Sequence, residues 1–150
     1  MNRRSFLAVS ALAAASAPSL LAAPAGKHRV AVIGHTGRGN FGHGLDTVWL
    51  KIPETQIVAV ADANEAGLKK ALAKLKVDQG FSDYRRMLKE VRPEFVAVCP
   101  RHADQRHDMT LAAIEAGAKG VYVEKPFCRT PAEADSLVAA CEKHGAKIAI

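Results

Sequence analysis

Aromatic residues make up only 5% of the 150-residue chain and are scattered along it. That argues against a single-stranded nucleic-acid binder, which needs rings to stack on bases within a basic stripe. The basic excess, 21 Lys and Arg against 15 Asp and Glu for a net charge of +6, is likewise spread rather than gathered on one run. Nucleic acid is therefore not an expected partner. Cysteine is scarce too. Cys99, Cys128 and Cys141 are an odd number, so they cannot all pair internally, and their spacing matches no metal site. They read as small buried residues at strand and helix positions. Apolar runs are short. The longest, Phe6 to Leu21, is alanine-rich and too short and weak to span a bilayer.

That run belongs to an amino-terminal segment with its own logic. Asn2-Arg3-Arg4-Ser5-Phe6-Leu7 opens with paired arginines, the apolar run follows, and Ala23-Pro24-Ala25 offers small residues to a peptidase. Residues 1–25 resemble a twin-arginine export signal, which predicts an exported, periplasmic protein. An ordinary secretory signal that happens to begin with two arginines is the competing reading. Removing 1–25 takes away two arginines and no acid, which leaves a net +4.

What the rest of the chain has in abundance is order. Val30-Ala31-Val32-Ile33 is an apolar run, and it stops at the glycine-rich turn Gly34-His35-Thr36-Gly37-Arg38-Gly39-Asn40-Phe41-Gly42. A helix is predicted next, over about 44–51. Ile57-Val58-Ala59-Val60-Ala61 then runs into Asp62. Strand, glycine turn, helix, strand and acid form the pattern of a dinucleotide-binding unit. Glycines let the backbone approach a pyrophosphate, N–H groups at a helix start face its charge, and the acid accepts hydrogen bonds from the adenosine ribose. The literal G-x-G-x-x-G is Gly37, Gly39 and Gly42. Because the first glycine should follow the strand directly, the preferred register is Gly34, Gly37 and Gly39.

The alternation continues. Leu68, Leu72 and Leu75 share a helix face, and Val77 to Phe81 holds a small strand. Ser82 can cap a helix carrying Tyr84, Met87, Leu88 and Val91, which Pro93 ends. Phe95 to Cys99 is a buried strand stopped by Pro100. A helix over about 104–116 precedes the strand Val121-Tyr122-Val123. Thr130-Pro131-Ala132-Glu133 is a capping box that opens a helix with Leu137, Val138 and Cys141 on its apolar face, and Lys147 to Ile150 begins another strand. Continuous apolar strands alternating with helices predict a doubly wound parallel α/β sheet, a Rossmann fold, over residues 28–150.

From His28 to Ile150 the chain resembles the amino-terminal domain of the Gfo/Idh/MocA oxidoreductases. Glu124-Lys125-Pro126 after a strand is the most specific element. The glycine turn, Asp62, Ser82-Asp83-Tyr84, and Pro100 with His107 beyond it support it. The resemblance implies NAD as cofactor. Gly34, Gly37 and Gly39 would hold the pyrophosphate with Thr36 and Arg38 lining it, and Asp62 would take the adenosine ribose. Pro100 and His107 would lie beside the nicotinamide. Glu124 and Lys125 would face the nicotinamide ribose and substrate, with Lys125 catalytic. A surface lysine before a proline turn is the structural alternative for Lys125. His35, His43, His102 and His144 carry no pattern, and Arg101 is equally a surface residue or a cofactor contact.

In this family a carboxyl-terminal substrate domain follows, and it is absent from these 150 residues. The chain alone is therefore expected to be incomplete and inactive, and the full-length form to be a homo-oligomer acting on a small sugar-like substrate. Three functions stay open: hydride transfer on a sugar or polyol, NAD-dependent glycoside hydrolysis by the same fold, and nucleotide binding without catalysis.

Overall fold

The computed structural model describes residues 26–150; the export signal expected over 1–25 lies outside the described residues. One parallel sheet carries the fold. Its strands are β1 (His28–Ile33), β2 (Thr55–Ala61), β3 (Gly80–Phe81), β4 (Phe95–Val98), β5 (Gly120–Val123) and β6 (Lys147–Ala149). They lie in the order β3-β2-β1-β4-β5-β6, all parallel. The order reverses direction between β1 and β4, which makes the carboxyl ends of those strands the place where a ligand crevice forms.

Alternating side chains send two sets of apolar residues to opposite faces. Ala31, Ile33, Ala59, Val96, Val98 and Val121 pack beneath α2 (Tyr84–Val91), α3 (Arg106–Glu115) and α4 (Pro131–His144), through Met87, Leu88, Met109, Ile114 and Leu137. Val32, Val60, Ala97 and Cys99 face the other way, toward Ala71 and Leu75 of α1 (Glu65–Leu75) and toward Leu45. Small strand residues let the helices approach, and the continuous apolar strands reflect burial on both faces. Burial pushes the Cys99 thiol well above its ordinary value, so the thiolate is not available there. Cys128 and Cys141 are half-buried.

Several predicted elements differ in detail. No α-helix follows the glycine turn; turns lead to a 3₁₀ segment, Val48–Lys51. Gly39, Asn40, Gly42 and Gly44 all have positive φ, from 54 to 94°, and that left-handed backbone cannot continue a right-handed helix. Asp83, not Ser82, caps α2, accepting a hydrogen bond from the Arg85 N–H. The 104–116 helix is split into a short 3₁₀ turn, Ala103–Gln105, and α3. On α4, Thr130 caps as expected, accepting from the Glu133 N–H, while the Glu133 carboxylate reaches back to the Arg129 N–H. Val138 is 54% exposed, whereas Leu137 is buried and Ala140 and Cys141 pack against the same core.

The amino ends of the central strands are tied by one acid. Glu94 lies within 2.8 Å of Lys119 Nζ, accepts from the Arg29 N–H at 3.2 Å, and lies 3.4 Å from His28 Nδ1. The Lys119 hydrogen bond, then that of the Arg29 N–H, holds its carboxyl at about 2 rather than the ordinary 4.5. A carboxylate depressed by folding contributes stability above its unfolded value and loses it as pH falls through the folded one. The contribution is thus lost between about pH 4.5 and 2. Glu94→Gln should flatten the acid limb of urea midpoint against pH in that window, and an unchanged slope would contradict the assignment.

Candidate functional site

The glycine loop after β1 lies across the strand ends, and its side chains and backbone pin it there. Gly34 directly follows β1, and a Cβ on it would meet the Phe41 ring at 2.2 Å. The Gly39 carbonyl accepts from the Arg101 N–H at 3.2 Å and from Arg101 Nε at 3.4 Å. Gly39 has φ +91°, and a Cβ there would lie 2.2 Å from Arg101 N. At Gly42, with φ +65°, a Cβ would lie 2.6 Å from the Cys99 carbonyl oxygen and 2.7 Å from Glu124 Oε2. Both positions need glycine for conformation and for close approach. The preferred sequence register, Gly34, Gly37 and Gly39, thus left out Gly42, the glycine on which the loop closes against β4 and β5.

Most N–H groups of the loop are committed within the protein. His35 and Asn40 pair through their backbones, and the Gly37 N–H donates to Asn40 Oδ1 at 3.1 Å. Arg38 pairs with Asp104 ahead of α3, so its guanidinium is already neutralised. His35 Nδ1 lies 2.7 Å from Gln105 Oε1. Asp62 stands at the carboxyl end of β2 and is 1% exposed. Its carboxylate accepts from the Thr36 N–H, from Thr36 Oγ1 at 2.6 Å and from the Asn64 N–H at 2.9 Å. The acid therefore latches the loop to the start of α1, and Gly67 leaves room for the latch, since a Cβ there would lie 2.0 Å from Thr36 Oγ1.

A cavity of about 210 Å³ opens beside it, walled by Gly34, Asp62, Ala63, Ser82, Asp83 and Tyr84. Across the switch point a second cavity, about 390 Å³, is lined by His43, Leu45, Tyr122, Glu124 and Lys125. Lys125 is exposed and directly follows Glu124, which is 3% exposed. Burial pushes the Glu124 carboxyl up, but hydrogen bonds from His43 and the nearby charges of His43 and Arg106 bring it below its ordinary value.

Pro100 is buried just past β4. His107 does not reach that strand end. Its ring meets Ser136 of α4, with Nε2 3.2 Å from Oγ, and Asp108. One residue earlier on the helix points about 100° away, and so Arg106 takes that place. Its guanidinium, fully buried, donates from Nε to the Pro100 carbonyl at 2.7 Å and to the carbonyls of Arg101 and Pro126. Neither Arg106 nor His43 was singled out in the sequence. Arg106 gave no signal beyond a charge among apolar helix positions, and His43 only its place beside Gly42.

Residues 28–150 match Gfo/Idh/MocA, an oxidoreductase family with an NAD-binding Rossmann fold. The chain belongs to the Gfo/Idh/MocA oxidoreductase family. The Rossmann sheet predicted from the strand pattern is the family's cofactor domain, and NAD is its cofactor. A D-apiose dehydrogenase from Paraburkholderia graminis is 31% identical over 114 residues, 76% of this chain and 30% of that protein. Among solved structures, GenD2 from gentamicin A biosynthesis, in complex with NAD, superposes with a TM-score of 0.72 at 24% identity, over 83% of this chain and 34% of that one. Apo scyllo-inositol dehydrogenase from Lactobacillus casei gives 0.69 at 18% identity, over 82% and 36%. These two share the fold. The chain spans about a third of the length of the relatives it matches.

The residues present fit a dinucleotide. The cavity beside Asp62 sits at the carboxyl ends of β1 and β2, and a Cβ on Gly37 would meet nothing within 4 Å, so the turn's outer face is open to a ligand.

Proposed function

We propose that this domain is the NAD-binding half of a two-domain oxidoreductase that oxidises an alcohol of a sugar or polyol by hydride transfer. The observation that carries the reading is Lys125, exposed at the end of β5 and bordering the 390 Å³ cavity, immediately after a buried carboxylate. The names of the relatives, D-apiose dehydrogenase and scyllo-inositol dehydrogenase, favour a polyhydroxylated substrate. In this reading Gly34, Gly37 and Gly39 approach the pyrophosphate, with Thr36 and Arg38 beside it. Asp62 takes the adenosine ribose, sharing its carboxylate with Thr36. Pro100 and Glu124 border the nicotinamide half, and His107 ties α3 to Ser136 of α4. NAD supplies the hydride acceptor. Lys125 donates a hydrogen bond to the substrate oxygen and stabilises the charge that develops on it.

Cofactor choice tests the reading. A carboxylate at Asp62 repels a 2′-phosphate, and neighbouring Ala63 and Asn64 provide no cation for one. Calorimetry should show NAD bound in preference to NADP. Asp62→Ala should weaken NAD binding by about 1–3 kcal/mol through the loss of a buried acceptor. Tighter binding of NADP by the unaltered chain would overturn it.

Export is the second part of the proposal, and Asn2-Arg3-Arg4-Ser5-Phe6-Leu7 supports it. The twin-arginine route carries folded proteins, so NAD would load before export and be retained rather than exchanged. Replacing Arg3 and Arg4 together by lysine should leave the precursor in the cytoplasm. Continued appearance of the double variant in the periplasm would remove the twin-arginine reading.

A further inference from the structure

The glycine loop faces the most negative part of a dinucleotide, yet it has no cation of its own to offer. Arg38 is paired with Asp104, and the Gly37 and Arg38 N–H groups are bonded inside the turn. A residue outside the loop meets it from across the switch point. The Arg101 N–H, just past β4, donates to the Gly39 carbonyl at 3.2 Å, and Arg101 Nε donates to the same oxygen at 3.4 Å. From this geometry we propose that Arg101 is a cofactor-binding residue whose guanidinium holds the diphosphate of NAD on the glycine loop. The inference rests on the placement of the pyrophosphate proposed above.

Three observations converge on it. The Arg101 backbone is held on both sides, since its N–H is bonded to Gly39 and its carbonyl accepts from the buried Arg106 guanidinium. The side chain therefore starts from a fixed point at the carboxyl end of β4. The loop is fitted to that point, because a Cβ on Gly39 would lie 2.2 Å from Arg101 N and 2.9 Å from its Cα. Finally, Gly39 is buried, and its own N–H meets no acceptor among the described residues. Buried N–H groups are nearly always paired. An anion seated on the loop beside Arg101 would supply the missing acceptor.

The two arginines divide the work by their partners. Arg38 locks the loop to the turn ahead of α3 and is neutralised in doing so. Arg101 bonds only to an uncharged carbonyl, and it pairs with no carboxylate among the described residues. With Nε spent on Gly39, its two Nη groups remain as a planar fork of donors. That shape matches two oxygens of a phosphate. The place is also the right one, because the loop after β1 and the residue after β4 flank the point where the strand order reverses.

Binding of NAD, ADP-ribose and adenosine to the chain tests the assignment without catalysis, by calorimetry for the first two and by NMR titration for the third. NAD and ADP-ribose carry the diphosphate, and adenosine does not. Arg101→Gln should weaken NAD and ADP-ribose about 10–100-fold, the scale for hydrogen bonds to a charged group, and should leave adenosine unchanged. Arg101→Lys should lose less than the glutamine variant but not match the unaltered chain, because an ammonium keeps the charge without the fork. Added salt should weaken NAD binding more in the unaltered chain than in Arg101→Gln. An equal loss for adenosine would make Arg101 a prop of the loop, and a loss for NAD with ADP-ribose spared would put it at the nicotinamide end. Either result overturns the proposal. Full NAD affinity in Arg101→Gln defeats this proposal alone and leaves the oxidoreductase reading standing. Failure of the unaltered chain to bind NAD defeats both.

Discussion

Replacing Lys125 by alanine should lower turnover of the two-domain enzyme by about 10²–10⁴-fold, the usual effect of removing a positioned proton donor. The argument is local. Lys125 leaves the sheet directly after β5, so the strand fixes its Cα, and its side chain enters a cavity bounded by Tyr122, Leu45 and His43. In the proposed reaction its charge would meet the alkoxide that forms as the hydroxyl proton departs. A donor that meets this charge more strongly in the transition state than in the ground state raises kcat rather than only tightening binding. NAD affinity should therefore survive the substitution while kcat collapses. Lys125→Arg should recover little, because a planar guanidinium cannot take the position of a compact ammonium. Steady-state kinetics with calorimetric NAD titration provide the measurement, and unchanged turnover would remove Lys125 from the mechanism.

Arg106→Leu should cost at least about 1–3 kcal/mol of folding stability, the scale for leaving a buried acceptor without its donor. Replacing a buried charge by an apolar side chain is often harmless when its partners leave with it. Here the partners are the backbone carbonyls of Pro100, Arg101 and Pro126, and they stay. Leucine fills much of the volume and leaves all three acceptors without a donor. Burial already pushes the guanidinium below its ordinary value, with Glu124 and Asp104 opposing that shift. Arg106→Lys should recover only part of the loss, since one ammonium cannot span three diverging carbonyls as a fork does. The urea midpoint should fall without a change in m. A leucine variant within about 1 kcal/mol of the unaltered chain would show that these carbonyls find other donors or water. Because Pro100 and Pro126 flank the strand ends of the crevice, the leucine variant should also bind NAD less tightly.

Much of the architecture could be read directly. The strands announced themselves as apolar runs ending at Gly34, Asp62 and Pro100, and their alternation with amphipathic helices implied the parallel sheet that is found. The Thr130 cap followed from residue types at fixed spacing. Where local patterns failed, a tertiary contact had overruled them. The stretch after the glycine turn has helical composition, yet it is held in turns by docking against β4 and β5, at the cost of four left-handed residues. His107 seemed the natural neighbour of Pro100, but the helix phase assigns that contact to Arg106 and turns His107 toward α4.

By itself the sequence determined the fold class, the family and the positions of Asp62, Glu124 and Lys125 at strand ends, because periodicity and strand-terminating residues are local properties. Only the tertiary structure decided what those residues touch. Asp62 latches Thr36, Glu124 holds His43, and Arg106 gathers three carbonyls. Each contact joins residues separated by at least one strand or loop, over 26 and 81 positions in the first two cases. Such a pairing is created when the sheet brings strand ends together, and no spacing along the chain encodes it.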